Sequence, residues 1–447
     1  MNIQKFNHPD TVLVISGWPE SSKHGQNNYG IAWYTKETVE PIANRYGQKF
    51  VILAETNHDN RPKTFAGGKI LVLRIFDQKH PSLFPRILSW LVAFNRINRV
   101  HVHSEFCTNG GIKNFILLIP FLMLIKLFGK HITYFAHNVI TDLTDIAPHL
   151  NLDKQTLTFM ILNWSIRYYY FFLRILTNRI VVMDDEMKRR LVQYMPEEKI
   201  VSVPFWIKPV TKKIDKQKAR KQLKIAKNKF VLLYFGFITW YKGADWLIDQ
   251  VKSLTSKKKY QDIELVLAGG VAWSMKDKPY YQQYYQAQRA KAQASTHIRI
   301  TGFVPDEDIT TYFAAADAVL FPYRGLIGSS GAITHAIANG KPFLMSSKMR
   351  SALGNTDYQE ALVQADLSEK DVLFTHTGKS FEESITRLKK ARNMRKLTAF
   401  ANSIKTKRNM ETQLPVYYQN LFCDITGSRV PLRRLSITHA PTRLIQA

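Results

Sequence analysis

Short runs of β-branched and aliphatic residues alternate with helix-length stretches along this chain, and the pattern occurs twice. In the first half the candidate strands are Val12–Ser16, Phe50–Leu53, Ile70–Leu73, Val100–His103, Ile132–Phe135 and Ile180–Met183. In the second they are Phe230–Tyr234, Glu264–Ala268, Ile298–Thr301, Ala318–Phe321, Phe343–Met345 and Val372–Thr375. Apolar strands separated by helix-length segments build βαβ units and a parallel sheet covered on both faces. The expected fold class is therefore α/β, with two Rossmann-like, doubly wound domains in series. The boundary falls at Thr211–Lys229, which carries nine Lys or Arg and one acid. The expected division is a first domain over residues 1–208 and a second over 209–410. A helix over 411–427 then crosses back towards the first domain. A basic tail over 428–447, with four Arg and no acid, is expected to be disordered, or ordered only on a partner. Ligands of such sheets meet loops at the carboxyl ends of strands, and two such ends facing each other form a cleft.

Charge narrows the partners. The 447 residues contain 63 Lys and Arg against 35 Asp and Glu, a formal charge of +28. That excess attracts polyanions: phosphorylated ligands, an anionic membrane face or nucleic acid. No nucleic-acid recognition module accompanies it, so nucleic acid is not the expected partner. Two cysteines, Cys107 and Cys423, are too few and too far apart for a disulfide framework or a zinc site. The longest apolar run, Phe115–Ile125, is interrupted by Pro120 and falls short of the roughly 20 residues that span a bilayer. The first ten residues are polar, unlike a signal peptide. The expected location is the cytoplasm, as a peripheral protein on the inner face of the cell membrane.

Two stretches mix cations and aromatics: Leu83–Arg99 and Trp164–Arg179. Lys113, Lys126 and Lys130 flank the run Phe115–Phe128. Interfacial helices have this character. The alternative is that they are packing helices with a solvated basic face, and for Trp164–Arg179 packing is the expected role.

Four segments carry the chemistry. In Phe230–Asp245 a strand ends at Gly236 and Lys242-Gly243 opens a helix. A Lys there meets a phosphate as a compact point charge, or is simply solvated. In Ala315–Ser347, Gly328-Ser329-Ser330-Gly331 leads into a helix over 332–338. Its backbone N–H groups can hold a pyrophosphate, or Ser330 merely caps the helix. In Ile132–Asp142, His137 and Asn138 follow a strand directly, which places His137 at the carboxyl edge of the first sheet. Ser16–Tyr29 is a polar loop after the first strand and lacks the GxGxxG dinucleotide spacing.

In order and spacing these segments resemble the retaining glycosyltransferases of family 4, of the GT-B superfamily. The resemblance runs from about Val12 to Phe422. It is carried by Lys242-Gly243, Val304-Pro305, Tyr312–Ala318, Pro322-Tyr323-Arg324, Ser330-Gly331, Gly340-Lys341-Pro342 and His137-Asn138-Val139. It implies that a hexose moves from a nucleotide-diphosphate sugar to a saccharide or lipid-linked acceptor, with retention, in envelope polysaccharide or glycolipid synthesis. His137 and Lys242 would be the catalytic residues. Gly236, Lys242, Gly269, Gly270, Arg324, Ser329, Ser330, Gly331 and His335 would bind the donor. Gly25, Gln26, Asn27 and Asn28 would lie on the acceptor side. Neither a metal nor a cofactor is expected: Asp306-Glu307-Asp308 and Asp184-Asp185-Glu186 read as acids at helix starts, where they complement the dipole. The chain departs from the family at two points. Most relatives carry a Glu pair spaced by seven residues, which falls here near Ile327 and at His335, and the Arg after the donor-loop Gly is Phe237. The alternative function is a non-catalytic GT-B partner or scaffold subunit.

Overall fold

The computed structural model describes residues 3–19, 30–77, 80, 82–104, 112–144, 147–148, 151–211, 213–272, 275–326 and 328–423. Gly25, Gln26, Asn27, Asn28, Ile327 and the tail 428–447 lie outside the described residues.

All twelve expected strands form, with two more. The first sheet contains β1 (Val12–Ile15), β2 (Phe50–Glu55), β3 (Lys63–Phe65), β4 (Ile70–Phe76), β5 (Arg99–Ser104), β6 (His131–Ala136), β7 (Arg179–Val182) and β8 (Ile200–Ser202). Its order is β3-β4-β2-β1-β5-β6-β7-β8, parallel except for the edge strand β3. The second sheet contains β9 (Phe230–Phe235), β10 (Ile263–Ala268), β11 (Ile298–Ile300), β12 (Ala318–Phe321), β13 (Phe343–Ser346) and β14 (Leu373–Phe374). Its order is β11-β10-β9-β12-β13-β14, all parallel. Central strands such as β1, VLVI, and β12, AVLF, are buried at every position. This is why they read as unbroken apolar runs rather than as alternations.

Each sheet reverses its winding once, between β1 and β5 in the first and between β9 and β12 in the second. Loops diverge at such switch points and leave a crevice at the carboxyl ends of the strands. Two separate apolar cores back the two sheets. The helix Met410–Tyr418 and the π-helical turn Gln419–Cys423 return to the first core through Leu414, Tyr417, Leu421 and Phe422. The Tyr417 hydroxyl lies 3.1 Å from that of Tyr34, and Tyr418 stacks on Tyr46.

The two cation-aromatic stretches separate on folding. The helix Leu83–Ala93 buries Leu83, Phe84, Ile87 and Leu91, as a packing helix should. The helix Leu157–Leu176 packs on the first core as expected, but with one face only. It buries Ile166, Tyr169, Tyr170 and Leu173, yet Leu157, Met160, Ile161, Trp164, Phe171 and Ile175 stand more than half exposed. It is apolar around nearly its whole circumference, and only one side has a sheet to pack on. The helix Ile112–Leu127 touches it and exposes Ile116, Met123 and Leu127. Lys130 does not flank this surface: it is buried, with its ammonium donating to the carbonyls of Asn95 and Ile97. Among the described residues no helix is long and apolar enough to cross a membrane.

Candidate active site

The donor-loop segment follows β9. Gly236 has φ +120°, and Lys242 ends a 3₁₀ turn closed by Gly243 at φ +72°, where a β-carbon would also collide with the Pro322 carbonyl. The loop is held from several sides. Ile238 donates to Gly270, the Tyr281 hydroxyl donates to the Ile238 carbonyl, and Gly236 donates to Ala268. Gly269 sits where the β10 loop runs against Gly236 of the β9 loop, and Gly270 where it runs against Gly302 and Phe303 after β11, both too close for side chains.

Within this frame the Lys242 ammonium lies over the rings of Phe237, Tyr241 and Tyr323, 5.6–5.9 Å from their centroids. No carboxylate pairs with it among the described residues. Burial alone lowers its pKa to about 8. A β-carbon on Gly236 would be 3.1 Å from this ammonium and 4.0 Å from the β-carbon of Ala332. Lys242 thus faces the start of the helix Gly331–Ala338 across a gap that glycine keeps open. Ser330 caps that helix through the Ile333 N–H, and its hydroxyl lies 3.3 Å from that of Tyr323. A cation without a counterion beside free helix N–H groups is an arrangement that accepts a multiply charged anion.

Arg324 does not join this group as a free cation. Its guanidinium makes two 2.8 Å bonds to Asp245, stacks on Trp240 and donates to the Trp240 carbonyl. Asp245 is in the first turn of the helix that Lys242-Gly243 opens. Arg324, expected to bind the donor, braces the turn that carries Lys242. His335, one turn into its helix, packs on Phe235 and Phe313, and burial lowers its pKa to about 4.

The first domain contributes His137 at the end of β6. Its Nε2 is 3.1 Å from Nδ1 of His103 on β5, and His103 stacks on Phe135. Tyr34 meets His137 edge-on at 4.9 Å. Enclosure lowers the His137 pKa to about 3 and holds His103 well below the usual imidazole range. Both imidazoles are neutral at physiological pH, one donating to the other.

The domains meet at this point. Asn138 bridges to Gly328, where a β-carbon would be 2.7 Å from the His137 carbonyl. Ser329 donates to Asp184 at 3.2 Å. The expectation that Asp184-Asp185-Glu186 marks a helix start fits the geometry: Asp184 caps the helix Asp185–Val192 through the Met187 N–H. That helix also grips the second domain, a role its sequence did not reveal. The Asp185 carboxylate accepts from Thr356, Arg189 donates to the Gly354 carbonyl, and Arg190 donates to the Leu326 carbonyl. Asp306, Glu307 and Asp308 occupy the first turn of the helix Asp306–Ala315. Among the described residues no cluster of His, Cys, Asp or Glu could hold a metal ion.

No curated protein sequence matches this chain. Among solved structures it is similar to the sucrose-phosphate synthase of Thermosynechococcus elongatus, with 14% identity and a TM-score of 0.67 over 92% of this chain and 98% of that one. It is also similar to the Anabaena protein HepE, solved with UDP and glucose, at 14% identity and a TM-score of 0.62 over 92% and 99%. A third is WaaG, a glycosyltransferase of lipopolysaccharide biosynthesis, at 14% identity and a TM-score of 0.59 over 92% and 100%. The chain has the two-domain GT-B fold of these enzymes, and its residues 229–373, which hold the Lys242 loop and the Ser330 helix start, match the family model of the glycosyl transferases group 1.

Proposed function

We propose that this protein is a metal-independent, retaining hexosyltransferase that takes its sugar from a nucleotide-diphosphate donor. The observation that carries this reading is the enclosed Lys242 ammonium, without an acidic partner among the described residues, facing the start of the helix Gly331–Ala338. HepE, a protein of the same fold, is solved with UDP and with UDP-glucose, which makes a uridine diphosphate sugar the first donor to test.

In this account the donor diphosphate lies between Lys242 and the backbone of Ser329–Ala332, and the sugar faces His137. The bond between the anomeric carbon and the β-phosphate oxygen breaks as the acceptor oxygen attacks the same face. The departing phosphate oxygen takes the acceptor's proton, leaving a glycosylated acceptor and a nucleoside diphosphate. Lys242 and the helix N–H groups stabilise charge that grows on the leaving group, so they act most strongly in the transition state. His137 is neutral and a poor base at pH 7, so its part is to orient the sugar by hydrogen bonding. A non-catalytic scaffold would keep the same cleft, and His335 in the usual Glu position motivates that second reading. Slow hydrolysis of UDP-glucose or another nucleotide sugar, abolished by Lys242→Met, is the expected result; a wild type that hydrolyses none of a full panel contradicts the enzyme reading.

The acceptor is proposed to be a saccharide or a lipid-linked saccharide of the cell envelope, reached at an anionic membrane face. The exposed apolar face of the helices Ile112–Leu127 and Leu157–Leu176, with the outward Arg167 and Arg174 among it, supports this. Aromatic and aliphatic residues enter the headgroup boundary, and each nearby cation adds about 1 kcal/mol on anionic lipid.

A further inference from the structure

Behind the His103–His137 pair lies a cavity of about 40 Å³, at the carboxyl ends of β1, β2 and β5. That is room for about three waters or one small substituent. Its polar lining includes Ser16, Glu55 and His103, and its apolar wall includes Phe76, Phe84 and Phe121. Through His103 it is one imidazole away from His137 and the cleft.

Glu55, the last residue of β2, is the unusual member. Its Oε1 is buried and has no hydrogen-bond partner among the described residues. The neighbouring Arg74 directs donors at the backbone carbonyls of Glu55, Trp18 and Pro19. Burial first, then Asp77, pushes the carboxyl up to about 8, with Arg74 opposing, so it is mostly protonated at neutral pH. A buried acceptor atom left unmatched is destabilising, and such atoms in native proteins call for a specific cause.

A ligand group suited to this cavity must meet two conditions. It must offer a hydrogen-bond donor to Oε1 and an apolar surface to the three phenylalanines. A hydroxyl meets the first and leaves the aromatic wall facing a polar group. A hydrocarbon meets the second and leaves the carboxyl unmatched. An ammonium meets the first by pairing with the ionised carboxylate and, like the hydroxyl, leaves the aromatic wall facing a polar group. A small N-acyl group meets both: its N–H donates to Oε1 and its methyl packs on the rings.

We propose that this cavity is a specificity subsite of the acceptor, and that it receives the acetamido group of an N-acetylated amino sugar. The proposal rests on the glycosyltransferase reading above. It makes Glu55 a specificity-determining residue and ties the acceptor's position to His137 through the wall formed by His103.

The test compares two probes, methyl 2-acetamido-2-deoxy-β-glucoside and methyl β-glucoside, binding to the full chain by saturation-transfer NMR and titration. The wild type should bind the acetamido probe at least fivefold more tightly, with the strongest transfer on the acetyl methyl. Glu55→Leu should melt at a higher temperature and lose that preference. Glu55→Gln, which keeps an acceptor oxygen, should retain most of it. Equal binding of the two probes by the wild type, or an unchanged preference in Glu55→Leu, would overturn the proposal. So would a lowered melting temperature for Glu55→Leu, since it would mean that Glu55 is held by partners of its own. The probes are titrated without nucleotide, so a wild type that failed to bind UDP would contradict the donor reading while leaving this comparison intact.

Discussion

Burial depresses the pKa values of Lys242 and His137 alike, but with different consequences at neutral pH. Burial lowers the Lys242 pKa from 10.5 to about 8, so above pH 8 the unliganded loop holds a neutral amine. A diphosphate favours the charged form, and binding must then take up a proton. UDP affinity should therefore be flat below about pH 7.5 and fall as the pH rises through 8 to 9.5. Calorimetry across that range should show the fall in the wild type and not in Lys242→Met. The Lys242 segment was legible because a strand, a Gly and a Lys-Gly helix start are contiguous in sequence. The Arg324–Asp245 pair was not: its partners are 79 positions apart, and only the fold shows that the guanidinium is engaged. His137 is enclosed by Tyr34 and His103, which come from another helix and another strand, so its neutrality could not be read from its own segment. His137→Ala is expected to lower transfer by about tenfold to a hundredfold, the scale of one lost positioning contact, with donor binding nearly kept. Steady-state kinetics beside UDP titration would separate the two.

At the scale of elements, β5 carries two buried imidazoles, His101 and His103, and β6 leads to a third. Burial depresses their folded-state values below the ordinary 6.5, to about 3 for His101 and His137. A depressed imidazole value means that the unfolded chain binds the proton more readily. The stability these groups permit is thus complete above pH 6.5 and falls as the pH drops below it. Urea midpoints should decline from pH 7 to pH 5. His101→Phe should flatten that decline, because its Nε2 has no partner among the described residues to lose. The helix Asp185–Val192 is the second informative element. Asp184→Ala removes a helix cap at a cost of about 1 kcal/mol, and also the bond to Ser329 in the other domain. Asp184→Asn keeps the capping oxygen. The Ala variant should lower the melting temperature and weaken UDP binding, whereas the Asn variant should lose much less of both. The helix start was readable from its acids; its grip on Thr356 and Leu326 was not, since those contacts span more than 130 positions. The strands missed from sequence share a different cause. β3 is three residues of an edge strand with Lys63 and Thr64 exposed, and β8 is three residues long. Neither offers the buried apolar run that marked the others.

For the whole molecule, the repeated strand pattern was sufficient for two doubly wound domains, because parallel strands buried on both faces leave a strong hydrophobic trace. Charge gave only a direction. What the fold adds is a place: the helices Ile112–Leu127 and Leu157–Leu176 leave an apolar face uncovered, which for the second of them lies beside the face that packs as expected. Exposed apolar patches of this extent mark interaction surfaces. The protein should float with vesicles containing anionic lipid at low salt, and Trp164→Ser with Phe171→Ser should reduce the floated fraction several-fold while leaving UDP binding unaltered. An unchanged fraction would mean that this face is not the membrane contact.

The central claim is that a nucleotide diphosphate sits between Lys242 and the start of the helix Gly331–Ala338. Its most direct measurement is calorimetric titration of UDP into the wild type and Lys242→Met at pH 7. The account predicts saturable one-to-one binding by the wild type and at least a tenfold weaker affinity for the variant, with the fold intact by circular dichroism. Equal affinities in the two proteins would contradict it.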